Sequence, residues 1–413
     1  MGFTIHDHQL HCDGVSLQDV TSLAGTPFYC YSANTIQKNF GLYRENFPAD
    51  KALVCFAVKA NSNQSVLKLL GEQGAGADVV SGGELKRALL AGIPAQRIVF
   101  SGVAKTAEEM AHALDQGIFQ FNVESEPELE SLNEVALAKG LSAPIAFRVN
   151  PDIDAGTHEK ITTGKAVNKF GIPRVRAEEV YRHAARLPGI RVQGIAMHIG
   201  SQLTDLEPFR KAFTCLAELT HSLRSEGHEI SVLDVGGGLG INYNDGAAQP
   251  PSLERYAQTA REILDPLGCR IVVEPGRSVV GEAGVLVSKV IYVKEGEGVR
   301  FVIIDAGMND LMRPSLYSAY HEITAVRETD GPLGVCDVVG PICETGDTFV
   351  RGIKLPALNP GDLVAIRNAG AYGAVMAGTY NTRALVPEML VEDGKARVIR
   401  RRVEPEELIA FDT

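Results

Sequence analysis

Short apolar runs alternate with amphipathic stretches along most of the chain from about residue 33 onward. Apolar runs closed by glycine, asparagine or serine are typical of buried parallel strands, and apolar residues three or four positions apart are typical of helices. The runs predict eight strands, at Val54–Asn61, Ala77–Ser81, Arg97–Gly102, Phe119–Glu124, Ile145–Asn150, Gly194–Gly200, Val232–Gly237 and Ile271–Gly276. The stretches between them predict helices at Glu84–Ala91, Thr106–Gln116, Glu126–Lys139, Ala177–Arg186, Pro208–Glu226 and Leu253–Leu264.

Eight strands alternating with helices predict a (β/α)8 barrel, with a doubly wound open sheet as the alternative. The placement of polar residues favours the barrel, because they fall at the same end of the predicted strands. In such barrels the reacting groups gather at the C-terminal ends of the strands, so side chains distant in sequence should converge there. The polar residues at or near these ends are Lys59, Asp78, Arg148, His198, the glycines 236–238, Glu274 and Arg277.

The two ends of the chain have a different pattern. Before residue 33 the sequence predicts short strands and turns, of which Phe28–Tyr31 is the clearest strand. Beyond Gly276 strand-like runs follow one another without helices, at Val285–Val293, Val299–Asp305, Cys336–Val339, Leu363–Asn368 and Ala396–Arg400. We therefore expect an α/β fold with a barrel at 33–277 and a mainly β second domain built from 1–32 and 278–413.

Composition excludes several classes of protein. The chain has 413 residues, 45% of them hydrophobic, and a net charge of -11 without a basic stripe, which argues against nucleic-acid binding. Seven scattered cysteines without a CxxC pair predict reduced thiols, a cytoplasmic location and no metal site. The N-terminal residues lack the features of a signal peptide, and no apolar run is long enough to span a membrane.

Lys59 in the run Cys55–Asn61 is the first candidate for chemistry. Its amine could extend into water from a strand end, as lone lysines commonly do. Alternatively, partial desolvation could lower the pKa of the amine, so that it forms a Schiff base with an aldehyde cofactor.

Two glycine-containing turns follow the predicted seventh and eighth strands, at Asp234–Gly240 and Glu274–Arg277. Barrels often bind phosphate with these two loops, because glycine lets backbone N–H groups approach an anion closely. Glu274 could pair with an arginine, or it could accept a hydrogen bond from a pyridinium N–H group. His198 could be a core residue, or it could stack on a flat ring while Ser201 donates to phosphate.

Seven motifs together resemble the barrel-type decarboxylases that use pyridoxal 5'-phosphate (PLP), and within them the branch that acts on diaminopimelate. In chain order the motifs are FAVKAN, HIGSQ, GGGLG, EPGR, DAGMNDLMRPSLY (305–317), GPICETGD (340–347) and GAYG (370–373). The resemblance covers nearly the whole chain and implies decarboxylation of meso-2,6-diaminopimelate to L-lysine and CO2. It also implies a homodimer whose active sites combine residues of both subunits.

The resemblance further implies a role for each matching residue. Lys59 would form the Schiff base, Asp78 would support it, His198 would stack on the ring and Glu274 would hold the pyridine nitrogen. Cys343 would be the proton donor, reaching in from the partner subunit. The phosphate and its surroundings would be held by Ser201, Gly237, Gly238, Pro275, Gly276, Arg277 and Tyr372, and the substrate by Arg277, Arg313, Tyr317, Glu344 and Tyr372.

Several alternatives remain at the level of the sequence. Arg313 and Arg277 suit a distal carboxylate, and Glu344 suits an ammonium, which favours diaminopimelate over ornithine, arginine or a carboxylated polyamine. Arg313 could instead be structural, paired with Glu322 or Asp310. A catalytically inactive paralogue is less consistent with the joint presence of Lys59, Glu274 and Cys343. A racemase would require a second base where the chain has Cys343 and Glu344.

Overall fold

The structure is a computed structural model that describes residues 2–154, 163–164, 168–244, 246, 249–328 and 331–412. Its strands are β1 Phe3–His6, β2 Gln9–Cys12, β3 Val15–Ser16, β4 Phe28–Ser32, β5 Ala52–Ala57, β6 Gly76–Val79, β7 Ile98–Phe100, β8 Gln120–Val123, β9 Ala143–Asn150, β10 Ile172–Pro173, β11 Ile190–Ala196, β12 Val232–Asp234, β13 Arg270–Val273, β14 Gly284–Glu295, β15 Arg300–Ile304, β16 Ile323–Ala325, β17 Gly334–Val339, β18 Thr348–Leu355, β19 Leu363–Ile366, β20 Glu388–Glu392 and β21 Lys395–Arg400. Its helices are α1 Leu17–Ala24, α2 Ala33–Asn46, α3 Gln64–Glu72, α4 Gly82–Leu90, α5 Ala107–Gln116, α6 Glu126–Lys139, α7 Ala177–Ala184, α8 Glu207–Ser225, α9 Leu253–Leu264, α10 Arg277–Val280, α11 Arg313–Tyr317 and α12 Pro405–Ile409.

The described residues form two compact units. One comprises Phe40–Ile241 and Ala248–Ser278, and the other comprises Met1–Asn39, Asn242–Ala247 and Val279–Thr413. We call them the barrel unit and the β unit. No helix among the described residues combines the length and the apolar character needed to cross a bilayer.

The barrel unit contains a closed barrel of eight parallel strands, which confirms the predicted fold. In order around the barrel the strands are β5, β6, β7, β8, β9, β11, β12 and β13, and β13 pairs with β5 to close it. The strands are buried along most of their length because helices cover the outer face and side chains fill the interior. Part of the core consists of Leu53, Cys55, Val99, Val232 and Val272.

Local capping fixes where the barrel helices begin and end. Helix α5 begins after a capping box formed by Thr106 and Glu109, and ends at Gly117 in the left-handed conformation. Helix α6 begins after Ser125, whose side chain accepts from the backbone N–H of Glu128, and its bounds are those that the sequence predicts. These signals lie within a few residues of each helix, so they can be identified without tertiary information.

Seven of the eight predicted barrel strands extend too far at their C-terminal ends, and only Ile145–Asn150 ends where its strand, β9, does. Strand β5 ends at Ala57, so the predicted strand Val54–Asn61 is too long, and Lys59 lies just beyond the strand in a 3₁₀ turn at Val58–Ala60. Similarly, β12 ends at Asp234 and β13 ends at Val273. Beyond these points the chain leaves the ladder as loops, which is where a barrel of this kind places its functional groups.

The β unit joins both ends of the chain in one sheet, as the sequence predicts. Its strand order is β18-β17-β15-β14-β4-β20-β21, and off this path β19 pairs with β14 and β16 pairs with β19. The core of this unit includes Phe28, Val285, Val287, Met389 and Val391. The strand prediction misses β16, β18 and β20, and the short helix α11 in the RPSLY segment is also unpredicted. Strand β18 lies at the edge of the sheet and has Arg351 and Lys354 among its residues, so it lacks a continuous apolar pattern.

Candidate active site

The Lys59 amine is held by a buried carboxylate from the neighbouring strand. Its Nζ donates to Oδ2 of Asp78 over 2.6 Å. The Asp78 side chain is fully buried, whereas that of Lys59 is 37% exposed. The pairing follows from the parallel register, which sets Ala57 of β5 beside Asp78 of β6. The structure therefore places a fixed but accessible amine at the C-terminal ends of the barrel strands.

A pair of buried carboxyl groups lies at the ends of β12 and β13. Asp234 and Glu274 are hydrogen-bonded to each other, and the amide Nδ2 of Asn122 lies 2.8 Å from Oδ2 of Asp234 and 3.4 Å from Oε1 of Glu274. Burial raises the pKa of Asp234 to about 6. Burial, reinforced by the charges of Asp234 and Asp78, raises the pKa of Glu274 well above its ordinary value. Burial and mutual repulsion therefore favour a proton on one of the two carboxyl groups.

His198 lies beside the glycine turn as a neutral imidazole. Its Nδ1 accepts a hydrogen bond from the backbone N–H of Gly237 over 3.2 Å, which places its proton on Nε2. Burial, with further contributions from Arg148 and Lys59, lowers the pKa of His198 well below its ordinary value. A neutral flat ring is the form suited to stacking on an aromatic cofactor.

The three glycines 236–238 bring backbone close to neighbouring groups. A Cβ atom would lie 2.7 Å from Nδ1 of His198 if added to Gly236, and 2.1 Å from the carbonyl oxygen of Glu274 if added to Gly237. Gly238 has a φ of +110° and lies against the carbonyl oxygen of Gly200. These approaches require glycine and leave a cradle lined by backbone.

The last predicted members of the cofactor site follow β13. Arg277 is buried, and its Nη2 donates to Oγ of Ser201 over 3.2 Å. The carbonyl oxygen of Pro275 accepts from the backbone N–H of Ala57 over 2.9 Å, so this turn is tied to the strand that precedes Lys59. Gly276 is buried between them. The structure thus brings together, within the barrel unit, Lys59, Asp78, His198, Ser201, Gly237, Gly238, Glu274, Pro275, Gly276 and Arg277.

The remaining predicted site residues lie in the β unit. Arg313 is buried, with Nη1 2.6 Å from Nε2 of His321 and its guanidinium over the ring of Tyr243. Tyr317 ends α11, and Tyr372 follows β19 in the left-handed conformation. Asp347 joins the segment that precedes Arg313 to the segment that precedes Cys343, because its carboxylate accepts from the N–H groups of Met308 and Ile342.

Cys343 and Glu344 lie in the turn between β17 and β18, and both are exposed. Oε1 of Glu344 accepts from the hydroxyl of Tyr380 over 2.6 Å. A thiol that transfers a proton to a bound substrate must be accessible, and the side chain of Cys343 is exposed.

The site prediction missed Asn122 and Asp234, which contact Glu274 directly. A signal was available in the segment Phe119–Glu124, where Gln120 and Asn122 interrupt an otherwise apolar strand with a period of two. That period places both side chains on one face, and in the structure Nε2 of Gln120 donates to Oδ1 of Asn122 over 2.8 Å. Polar residues of this kind inside a barrel strand indicate a buried polar network.

Comparison with known proteins identifies the class. The sequence pattern of the family described as "Pyridoxal-dependent decarboxylase, pyridoxal binding domain" matches residues 33–281, which defines a pyridoxal-dependent decarboxylase. The diaminopimelate decarboxylase of Zymomonas mobilis is 48% identical over 410 residues, covering 98% of this chain and 97% of the relative.

Solved structures agree with the sequence relatives. The diaminopimelate decarboxylase of Helicobacter pylori, crystallised with L-lysine, aligns with a TM-score of 0.92 and 44% identity over 96% of this chain and 99% of that one. The M. jannaschii diaminopimelate decarboxylase, also in complex with L-lysine, aligns with a TM-score of 0.95 and 38% identity over 100% and 97%. The chain therefore belongs to the diaminopimelate decarboxylase family.

The residues of the barrel unit fit PLP, the cofactor of this family. The accessible amine of Lys59 suits an aldehyde, and the backbone cradle at Gly236–Gly238 with the Arg277 guanidinium suits a phosphate group. A neutral imidazole and a buried carboxyl group complete a set of contacts for one face and the nitrogen of a pyridine ring.

Proposed function

We propose that this chain decarboxylates meso-2,6-diaminopimelate to L-lysine and CO2 with PLP as cofactor. The observation that supports this most directly is the convergence of Lys59, His198, Glu274 and the glycine cradle at the C-terminal ends of one barrel. Membership of the diaminopimelate decarboxylase family supports the substrate. The related H. pylori and M. jannaschii enzymes were crystallised with L-lysine, the product of this reaction.

In the proposed mechanism the protein binds and orients the cofactor and the substrate, and it transfers protons. When bound, PLP supplies a ring that accepts the electron pair left on the α-carbon as CO2 departs. Lys59 would hold the cofactor covalently, and Asp78 fixes the position of its amine. His198 would limit movement of the ring on one face, while Arg277 and the glycine turn, through the backbone N–H of Gly238, would hold the phosphate.

Glu274 would hold the pyridine nitrogen through its carboxyl group, which would keep the ring protonated and electron-withdrawing. The site excludes water around this contact because Glu274, Asp234 and Asp78 are all buried. In such surroundings an interaction between charges is stronger than in water, so the contact favours the protonated ring.

We assign recognition of the distal end of the substrate to Arg277, Arg313, Tyr317, Glu344 and Tyr372. A distal carboxylate would pair with the planar guanidinium of Arg313, and a distal ammonium with Glu344. The exposed thiol of Cys343 of the partner subunit would return a proton to the α-carbon after CO2 has left. This arrangement requires a homodimer, which is part of the proposal together with a cytoplasmic location, the latter supported by seven free thiols.

Formation of lysine and CO2 from meso-diaminopimelate tests the activity. We expect Lys59→Ala to abolish product formation and to remove the adduct that borohydride traps at residue 59, detected by mass spectrometry. Lys68→Ala, which replaces an exposed lysine of helix α3, is the matched control and should retain both. Retention of full activity by Lys59→Ala would contradict the proposal, and turnover of ornithine or arginine in preference to diaminopimelate would change the substrate.

Mixing two inactive variants tests the shared site. Lys59→Ala and Cys343→Ala subunits, each inactive alone, should regain partial activity when mixed and allowed to exchange. Hybrid dimers would then contain one site with both residues intact. Absence of recovery in a mixture shown to contain hybrids would assign Cys343 to the site of its own subunit or to no site.

A further inference from the structure

Asp234 contacts Glu274 but has no assigned role in the reaction. It is the last residue of β12 and is almost fully buried. Its Oδ1 accepts from the backbone N–H of Gly236 over 3.0 Å, and its Oδ2 accepts from Nδ2 of Asn122 over 2.8 Å. Nδ2 of Asn122 lies 2.8 Å from Oδ2 of Asp234 and 3.4 Å from Oε1 of Glu274, so the two carboxyl groups are neighbours. Two adjacent buried carboxylates repel each other, which favours a proton on one of them.

The contacts indicate which of the two carries the proton. Asp234 receives two N–H hydrogen bonds of ordinary length, which stabilise a carboxylate. The contacts of Glu274 with Nδ2 of Asn122 and Oγ of Ser101 are longer, at 3.4 and 3.5 Å. The charge therefore lies on Asp234, and the Glu274 hydroxyl donates to it. The direction of the pKa of Glu274, raised well above its ordinary value by burial and then by Asp234, agrees with this assignment.

We propose that Asp234 is a positioning residue that keeps a proton on Glu274 until the cofactor arrives, and that this proton then passes to the pyridine nitrogen. The inference rests on the proposed function, in which Glu274 holds that nitrogen. The O–H bond of Glu274 breaks and an N–H bond forms, so Glu274 gains one negative charge and the ring gains one positive charge. Asp234 remains ionised throughout and favours the protonated ring through its charge.

Other titratable groups face the pair from neighbouring elements. They are Asp78 on β6, Lys59 in the turn after β5, the thiol of Cys55 on β5 and the hydroxyl of Tyr256 on α9. A change confined to Asp234 leaves all of these in place. The amide of Asn122 is also fixed in orientation, because its Oδ1 accepts from Gln120.

The test is ¹⁵N NMR of the full-length enzyme carrying ring-¹⁵N-labelled PLP, because the chemical shift of the ring nitrogen reports its protonation. In the wild type we expect the nitrogen to stay protonated through neutral and mildly alkaline pH. In Asp234→Asn the proton should be lost at a pH lower by about 1 to 3 units, the size of effect that a charge at contact distance has on a pKa. The double variant Asn122→Asp/Asp234→Asn exchanges amide and carboxylate, so a carboxylate still contacts Glu274 and the wild-type shift should return.

Each outcome has a separate meaning. A titration of Asp234→Asn that matches the wild type would overturn the role of Asp234, as would a wild-type ring nitrogen without a proton at neutral pH. If the wild type binds no PLP, the proposed function itself fails, and this is visible before any titration from the absence of the labelled signal.

An infrared measurement keeps the proposal testable if Asp234→Asn does not fold. The wild-type apoenzyme should show a protonated carboxyl band that disappears when PLP is added. Asp310→Asn, which removes a different buried carboxyl group, should leave this difference band unchanged. An apoenzyme without a PLP-sensitive carboxyl band would overturn the proposal.

Discussion

Replacement of Gly237 by alanine would test whether the glycine cradle tolerates one added Cβ atom. The added Cβ atom would lie 2.1 Å from the carbonyl oxygen of Glu274, whereas Cβ atoms in real proteins essentially never come closer than 3.0 Å to such an atom. One of the two backbone segments must therefore move by about 0.9 Å. The oxygen belongs to the main chain, so no side chain can rotate away to relieve the contact.

This movement would disturb three contacts that define the site. The N–H of Glu274 donates to the carbonyl of Gly236 over 2.8 Å, the carbonyl of Pro275 accepts from Ala57, and the N–H of Gly237 donates to His198. A misplacement of about 1 Å at a site of this kind can cost about 100-fold in activity. We therefore expect Gly237→Ala to weaken PLP binding and to lower kcat/KM by about 100-fold, with a loss of about 1–3 kcal/mol in stability from overpacking.

Spectroscopic titration of the apoenzyme with PLP measures the first effect, steady-state kinetics the second and urea unfolding the third. Gly41→Ala is the matched control, because a Cβ atom on Gly41 meets nothing within 4 Å and the residue lies inside helix α2. It should gain up to about 1 kcal/mol in stability and leave the titration unchanged. Wild-type PLP affinity in Gly237→Ala would refute the interpretation of these glycines as a cradle.

Three further predictions concern buried charges. Nζ of Lys105 donates to Oε1 of Glu128 over 2.6 Å, and both side chains are buried. Lys105→Met would leave the Glu128 charge buried without this partner, so it should destabilise the protein by about 3–5 kcal/mol in urea unfolding. Adding Glu128→Leu removes that charge and should recover part of this loss. Burial raises the pKa of Asp310 to about 7. Between pH about 4 and about 7 the folded state therefore keeps a proton on Asp310 that the unfolded state has released. The free energy of unfolding should fall as pH rises through this range. Asp310→Asn should flatten this part of the stability profile, and an unchanged slope would contradict the assignment. Arg313→Ala should raise KM for diaminopimelate sharply while leaving the cofactor spectrum unchanged, and an unaltered KM would remove Arg313 from the substrate site.

Features encoded over short distances could be predicted from the sequence. The bounds of helices Glu126–Lys139 and Leu253–Leu264 agree with the structure, because periodicity and capping residues lie within the helices or next to them. The alternation of strands and helices, together with the polar residues at one end of the strands, was sufficient to predict the barrel. Motifs at the strand ends also placed Lys59 and Glu274 on the same face of the barrel.

The pairing of individual side chains required the folded chain. Asn122 lies 112 residues from Asp234 and 152 from Glu274 in sequence, and its hydrogen bonds to them depend on which strands are neighbours and on their register. The contacts of Arg313 were likewise decided by folding. The local sequence pattern does not predict that His321 and Tyr243 lie against its guanidinium.

The sequence alone thus determined the architecture and the chemical types of the groups at the strand ends, because periodicity and turn residues act over a few positions. Only the tertiary structure decided the protonation of those groups. Burial depth and the distance between charges set a pKa, and both depend on contacts between strands that are far apart in the chain.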